Sequence, residues 1–239
     1  MAQNIATISP ELAISAIANA TPDNSVILDF DETLFLRNST AEYINSLRPR
    51  LIGWMLIMLL KVFRPWSWLP GNFRGKELKD WYLVIIPTIL LPWTLLLWQQ
   101  KARQLAEDYS NAEIISAVNN NPDAPVIVAS LGFNFIINPI LQHMPLKYQQ
   151  LVGCRFWQGA SDRLQGKLSM MQSVLSPLAM KSAILVTDSK DDLPLLQIVQ
   201  QPCLVQWSGA KYIDPFQDFW LDTWVKKKKS RKDAKTQRV

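Results

Sequence analysis

The sequence predicts an α/β fold: a parallel sheet wrapped by helices and interrupted by one long, apolar helical insertion. Three observations carry this expectation. Short apolar runs recur along the chain with helical stretches between them, which is the signature of a parallel sheet. The runs are short and dominated by apolar and β-branched residues, as buried strands are. About 95 residues separate the first run from the second, far more than a simple crossover needs. Taken in order, a helix is expected from Pro10 to Ala20, closed by Thr21-Pro22-Asp23-Asn24, and then a strand over Ser25 to Phe30. Further strands are expected at Pro125 to Ser130, Leu151 to Cys154, Ala183 to Thr187 and Cys203 to Trp207, with helices at Phe133 to Gln142 and Lys167 to Leu175. The expected domains are a discontinuous core over 1–36 and 124–222, an inserted helical cap over 37–123 and a basic tail over 223–239.

Composition narrows the chemistry. The chain has 239 residues, 49% of them hydrophobic, and a net charge of +5. That length builds a sizeable core, and the apolar content excludes a disordered chain. Two cysteines, Cys154 and Cys203, make neither a disulfide framework nor a four-ligand zinc site, and they read as small buried hydrophobes. The single histidine, His143, reads as structural, so catalysis must run on carboxylates, hydroxyls and lysines. Residues 226–239 hold eight basic side chains and one acid, which leaves a net charge of −2 for the rest. Such a tail suits an anionic surface. Few basic residues interleave with aromatics in the body, so nucleic acid is disfavoured as a partner. The first residues show no basic n-region and no apolar run, so no secretory signal is expected.

The insertion contains two apolar runs, Leu51 to Leu60 and the eighteen uncharged residues Trp81 to Trp98. Their length and flanking tryptophans suit contact with a bilayer, while Pro87 and Pro92 argue against a straight spanning helix. The strands on either side share one sheet and so lie on one side of any membrane. A re-entrant or interfacial hairpin over residues 51–98 follows, aided by the tail; the alternative is that these helices are the buried core of a soluble cap.

At the end of the first strand stands Asp29-Phe30-Asp31-Glu32-Thr33-Leu34. Carboxylates at i and i+2 of an extended segment share a face, and they lie at the carboxyl edge, where open α/β sheets bind ligands. Two such charges repel, and a hard divalent cation with oxygen ligands, magnesium above all, relieves the repulsion. Ser130 brings a hydroxyl to the end of the second strand, and Thr187-Asp188-Ser189-Lys190-Asp191-Asp192 brings further acids near the end of the fourth. Gly166-Lys167 opens an amphipathic stretch between them.

This ordered set resembles the haloacid dehalogenase-like (HAD) phosphatase superfamily over most of the chain. The resemblance implies a Rossmann-like core with a C1 cap in the insertion. It also implies Asp29 as the nucleophile that takes the phosphoryl group, Asp31 as general acid and base, Ser130 as a donor to the phosphoryl, and Lys167, or alternatively Lys181, as the neutralising lysine. Magnesium would be held by Asp29, Asp31 (through its carbonyl) and Asp188, with Asp192 holding the lysine or the metal shell. Thr33, Arg37 and Asn38 are further candidates for substrate or supporting contacts. Glu32 and Thr187 stand where relatives often have small residues, and Thr187 is expected to crowd its loop. The branch looks phosphoserine-phosphatase-like. It is also similar to HAD domains fused to prenyltransferases of the UbiA type, which suggests a lipid-linked phosphate as substrate, a prenyltransferase as partner and a place on the cytoplasmic side of a membrane. The alternatives are a soluble cytoplasmic metabolite phosphatase and a non-enzymatic membrane adaptor with a vestigial site.

Overall fold

The computed structural model describes residues 5–67 and 76–211; the basic tail and the end expected for the core at residue 222 lie outside them. Among the described residues six strands form one sheet: β1 (Thr7–Ile8), β2 (Val26–Asp29), β3 (Val126–Phe133), β4 (Gln150–Cys154), β5 (Ile184–Thr187) and β6 (Gln201–Val205). Every pairing is parallel, in the order β1-β6-β5-β2-β3-β4. β2 and β5 are buried along their whole length, as their apolar runs require, with Asp29 as the one charge at the carboxyl end of β2. From β2 the chain moves outward through β3 to β4, then crosses to the other flank of β2 for β5 and β6. Winding reverses at β2, and the space beyond the carboxyl ends of the strands at such a reversal is where open sheets bind ligands.

The expected α/β class is the observed one, with local differences. The edge strand β1 was too short to stand out in the sequence. β3 runs on to Phe133, its pairing with β4 shifting register between Ala129 and Phe133. The first helix, α1, spans Pro10–Ala18, with proline at its start where no donor is lost.

The insertion carries α2 (Ser39–Ser46), α3 (Arg50–Phe63), α4 (Lys76–Leu90) and α5 (Thr94–Tyr109). It leaves and rejoins the sheet at neighbouring points: the Leu36 N–H donates to the Tyr109 carbonyl at 2.8 Å and the Asn111 N–H to the Leu34 carbonyl at 2.9 Å. The next helix, α6 (Ala112–Asn120), packs against α1, and Asn121 beyond it donates to the carbonyls of Ile17 and Ala20 at 2.9 and 2.8 Å. Then follow α7 (Asn134–Leu141), α8 (Gly159–Gln172), α9 (Pro177–Lys181) and α10 (Leu193–Leu196).

Burial divides the insertion in two. Tyr43, Val84, Ile85 and Trp98 belong to the main core, whereas Leu47, Ile57, Leu83 and Leu91 form a small separate cluster under α3. The apolar run 81–98 does not continue as one rod. α4 and α5 meet at an elbow of 115° beside Pro92, and no single helix among the described residues is long and apolar enough to cross a membrane. The tryptophans at the two ends of the run turn inward. Trp98 is fully buried and donates to the Ile136 carbonyl at 2.9 Å, while half-buried Trp81 donates to the Phe156 carbonyl at 3.1 Å. They fasten the insertion to the core, a use that run length and composition do not reveal.

Candidate active site

Asp29 ends β2, its backbone paired with Ala129 of β3. Beyond it the chain coils back tightly. Glu32 adopts φ +59°, and the N–H groups of Leu34 and Phe35 return to the carbonyls of Asp29 and Phe30 at 3.3 and 2.8 Å. A non-glycine residue in that left-handed region costs free energy, and such strain gathers at functional positions. The coil sets Thr33 under the end of β5. There its hydroxyl accepts from the Asp188 N–H and donates to Asp188 Oδ1, both at 3.1 Å. Two loops 155 residues apart are locked by one side chain.

A buried ion-pair network fills the rim of the sheet. Lys167 Nζ lies 2.8 Å from Asp29 Oδ1 and 2.6 Å from Asp192 Oδ2, and all three residues are at least 94% buried. The lysine arrives because α8 is broken at Gly166 (φ +78°), a conformation glycine adopts at little cost, so that a new helical run starts at Lys167. Desolvation works against its charge, but Asp29 and Asp192 outweigh it and hold Lys167 above the ordinary lysine value. Lys181, the other candidate, is exposed at the end of α9 and does not line the cavity.

Thr187 does more than crowd its loop. Its hydroxyl faces Asp29 Oδ2 at 2.9 Å and Asp192 Oδ2 at 2.6 Å while accepting from the Ser189 N–H. With one hydrogen to give, it serves the two carboxylates in turn.

Asp31 and Ser130 face the cavity. The Ser39 N–H, at the start of α2, holds Asp31 Oδ1 at 2.6 Å, and Ser130 Oγ accepts from the Gly132 N–H at 2.9 Å. A Cβ added at Gly132 would lie 3.1 Å from Ser130 Oγ and 3.3 Å from Asp31 Oδ2, so glycine keeps the space between them open. Burial pushes Asp31 up to about 6 against the bond from Ser39. It likewise raises Asp29 to about 6 against the pull of Lys167, and Asp188 to about 6 against its bond with Thr33.

These residues open on a cavity of about 530 Å³. Its floor is Asp29, Asp31, Ser130, Lys167, Asp188 and Asp192; its far wall comes from the insertion and includes Asn38, Ile44, Lys61, Lys79 and Leu83. Asn38 also caps α2, accepting from the Ala41 N–H at 3.0 Å. Arg37 is not in the cavity lining: its guanidinium stacks on the Tyr109 ring at 4.5 Å. The sequence reading missed Lys61, Lys79 and Arg163. Arg163 lies on α8 just before the break at Gly166, pairs with Asp80 at 3.1 Å and donates to the Leu131 carbonyl, joining the two walls. Its partners come from distant chain, so no spacing in the sequence pointed to it.

The floor carboxylates Asp29, Asp31, Asp188 and Asp192 are hard oxygen donors, with neither sulfur nor imidazole among them, and Lys167 is one cation against four acids. This fits a magnesium-type ion. Among the described residues no three His, Cys, Asp or Glu side chains form a group that would grip an ion unaided. Such an ion would draw on Asp29, the Asp31 carbonyl and Asp188, and complete its shell with water and phosphate oxygens, as magnesium prefers.

No family model and no curated protein matches the chain. Among solved structures, cytosolic 5'-nucleotidase IIIB bound to cytidine is similar at a TM-score of 0.44 and 15% identity, over 82% of this chain and 75% of that one.

Proposed function

We propose that the chain is a magnesium-dependent phosphatase of the HAD type, hydrolysing a phosphate monoester through a phospho-aspartyl intermediate. The observation that carries this reading is the buried Asp29–Lys167–Asp192 network, set beside Asp31 and Ser130 on one cavity. A carboxylate oxygen of Asp29 attacks phosphorus, and the bond from phosphorus to the ester oxygen breaks. Asp31, whose raised value suits a proton donor near neutral pH, protonates the leaving alkoxide. Asp31 then takes a proton from water; the water oxygen bonds phosphorus, the Asp29–phosphorus bond breaks, and inorganic phosphate leaves. Ser130 donates its free hydroxyl hydrogen to a phosphoryl oxygen, and Lys167 offsets charge between nucleophile and phosphate. A bound magnesium ion would neutralise phosphoryl charge on the Asp188 side.

We further infer that the ester belongs to an amphiphile, a lipid-linked phosphate met at a membrane surface. Support comes from the apolar insertion and from Ile44 and Leu83 in the cavity wall. Purified protein should hydrolyse p-nitrophenyl phosphate with magnesium and lose this with EDTA. A panel of phosphorylated lipids set against soluble phosphometabolites then tests the substrate class, and turnover of the soluble set alone would overturn it.

A further inference from the structure

Fifteen large hydrophobic side chains are strongly exposed among the described residues, and eleven of them lie on α3 or at the elbow between α4 and α5. On α3 they are Leu51, Ile52, Met55, Leu59, Val62 and Phe63, from 46% to 74% exposed. Their spacing makes one stripe along the helix, opposite Gly53 and Ile57, which are buried. A surface helix normally shows polar residues there. At the elbow Leu90, Trp93 and Leu96 are also open, and the Trp93 indole donates to the Arg48 carbonyl at 2.6 Å, which joins the elbow to the start of α3. Soluble monomers rarely expose contiguous apolar surface of this kind without a partner for it.

The surrounding charge identifies the partner. Between Glu42 and Glu77 the sequence has no acid, and Arg48, Arg50 and Arg64 stand at the two ends of α3. A second copy would bring the same cations against these. An anionic lipid leaflet offers both hydrocarbon for the stripe and negative headgroups for its margins. We propose that the outer face of α3, with the α4–α5 elbow, is a docking surface that lies in the plane of an anionic bilayer. α3 is then a partition. One side meets lipid, and Lys61, one turn on from buried Ile57, lines the cavity on the other. With a helix about 10 Å across, a headgroup phosphate has a short path to the site. This deepens the phosphatase reading by naming how an amphiphilic substrate is met, and it rests on that reading only for the substrate.

The test is flotation of the full chain with phosphatidylcholine vesicles, with and without about 30% phosphatidylglycerol. Wild type should float with the anionic vesicles. Combining Leu51→Gln, Met55→Gln, Leu59→Gln and Phe63→Gln should lower the bound fraction about tenfold or more, while hydrolysis of p-nitrophenyl phosphate in solution is unchanged. Arg50→Gln with Arg64→Gln should weaken binding to the anionic vesicles only. Undiminished flotation of the fourfold variant overturns the proposal. So does failure of wild type to float, or a wild-type dimer that the fourfold variant dissolves. Asp29→Asn should float like wild type, so that loss of catalysis and loss of docking are read separately.

Discussion

The rim of the sheet and the outer face of the insertion use opposite physical rules. At the rim, charges are buried and nearly every polar atom has a partner: Lys167 meets two carboxylates, Thr187 bridges the same two, and Thr33 both accepts from the Asp188 N–H and donates to its carboxylate. On α3, apolar side chains stand in the open. The rim owes its geometry to contacts that fail together, because removing one member strands a buried charge. The outer face owes its folded geometry to nothing it displays. A change there should be silent in folding and audible only in association. That contrast can be broken or sharpened by substitution.

The largest effect is expected at Asp29, the proposed nucleophile. Asp29→Asn should lower turnover of p-nitrophenyl phosphate by about a thousandfold or more, measured at saturating magnesium; activity within tenfold of wild type would remove Asp29 from the chemistry. Next comes Lys167→Met, which leaves Asp29 and Asp192 buried together without their cation. Urea denaturation should show a loss of about 3–5 kcal/mol. Thr33→Val severs the clasp on Asp188 and should lower stability by about 1–3 kcal/mol, with weaker apparent magnesium affinity in activity titrations.

A fourth test uses pH. Asp31 and Asp188 bind protons more tightly folded than unfolded, since burial raises both from 3.8 to about 6. Their burial therefore opposes folding little below about pH 4, increasingly from there to about pH 6, and by a constant amount well above it. Metal-free protein should gain more stability on going from pH 7.5 to pH 5.5 when these two acids are present than in an Asp31→Asn, Asp188→Asn variant, and magnesium at pH 7.5 should recover part of the difference. At the small end, Met55→Gln on the outer face should change stability by no more than about 0.5 kcal/mol; a larger loss would mean the stripe is packed in the free protein.

Much of the rim was legible in the sequence because its chemistry sits at strand ends. An apolar run closing on Asp29-Phe30-Asp31, and another closing on Thr187-Asp188, announce both the strands and the edge they share. Lys167 was readable only as one of two lysines. What distinguishes it from Lys181 is a left-handed glycine that breaks α8 and aims the side chain inward, and a dihedral leaves no composition signal. Thr187 read as an intruder because its value depends on two carboxylates brought beside it by distant chain. The cavity wall was hidden for the same reason: Lys61 and Lys79 reach it from α3 and α4, which meet through contacts such as those of the cluster holding Ile57 and Leu83. Arg37, two residues before α2, looked close to the cavity along the chain and is turned to Tyr109 instead. For the run 81–98, hydrophobicity alone did not separate residues facing the core, such as Val84 and Trp98, from those facing out, such as Leu90 and Leu96.

The small cluster of Leu47, Ile57, Leu83 and Leu91 has a consequence for regulation. That cluster, with Ile44, Leu56 and Leu60 packed against it, stands apart from the main core and seats the fourteen-residue α3, which carries Lys61 to the cavity wall. In water, α3 would be among the first elements to open transiently, letting solvent into the cavity. Lipid pressed against its far side would close that equilibrium, since anything that binds only the shut form stabilises it. On the proposed phosphatase reading, the protein would then show interfacial activation: slow and leaky when dispersed, sealed and fast when adsorbed.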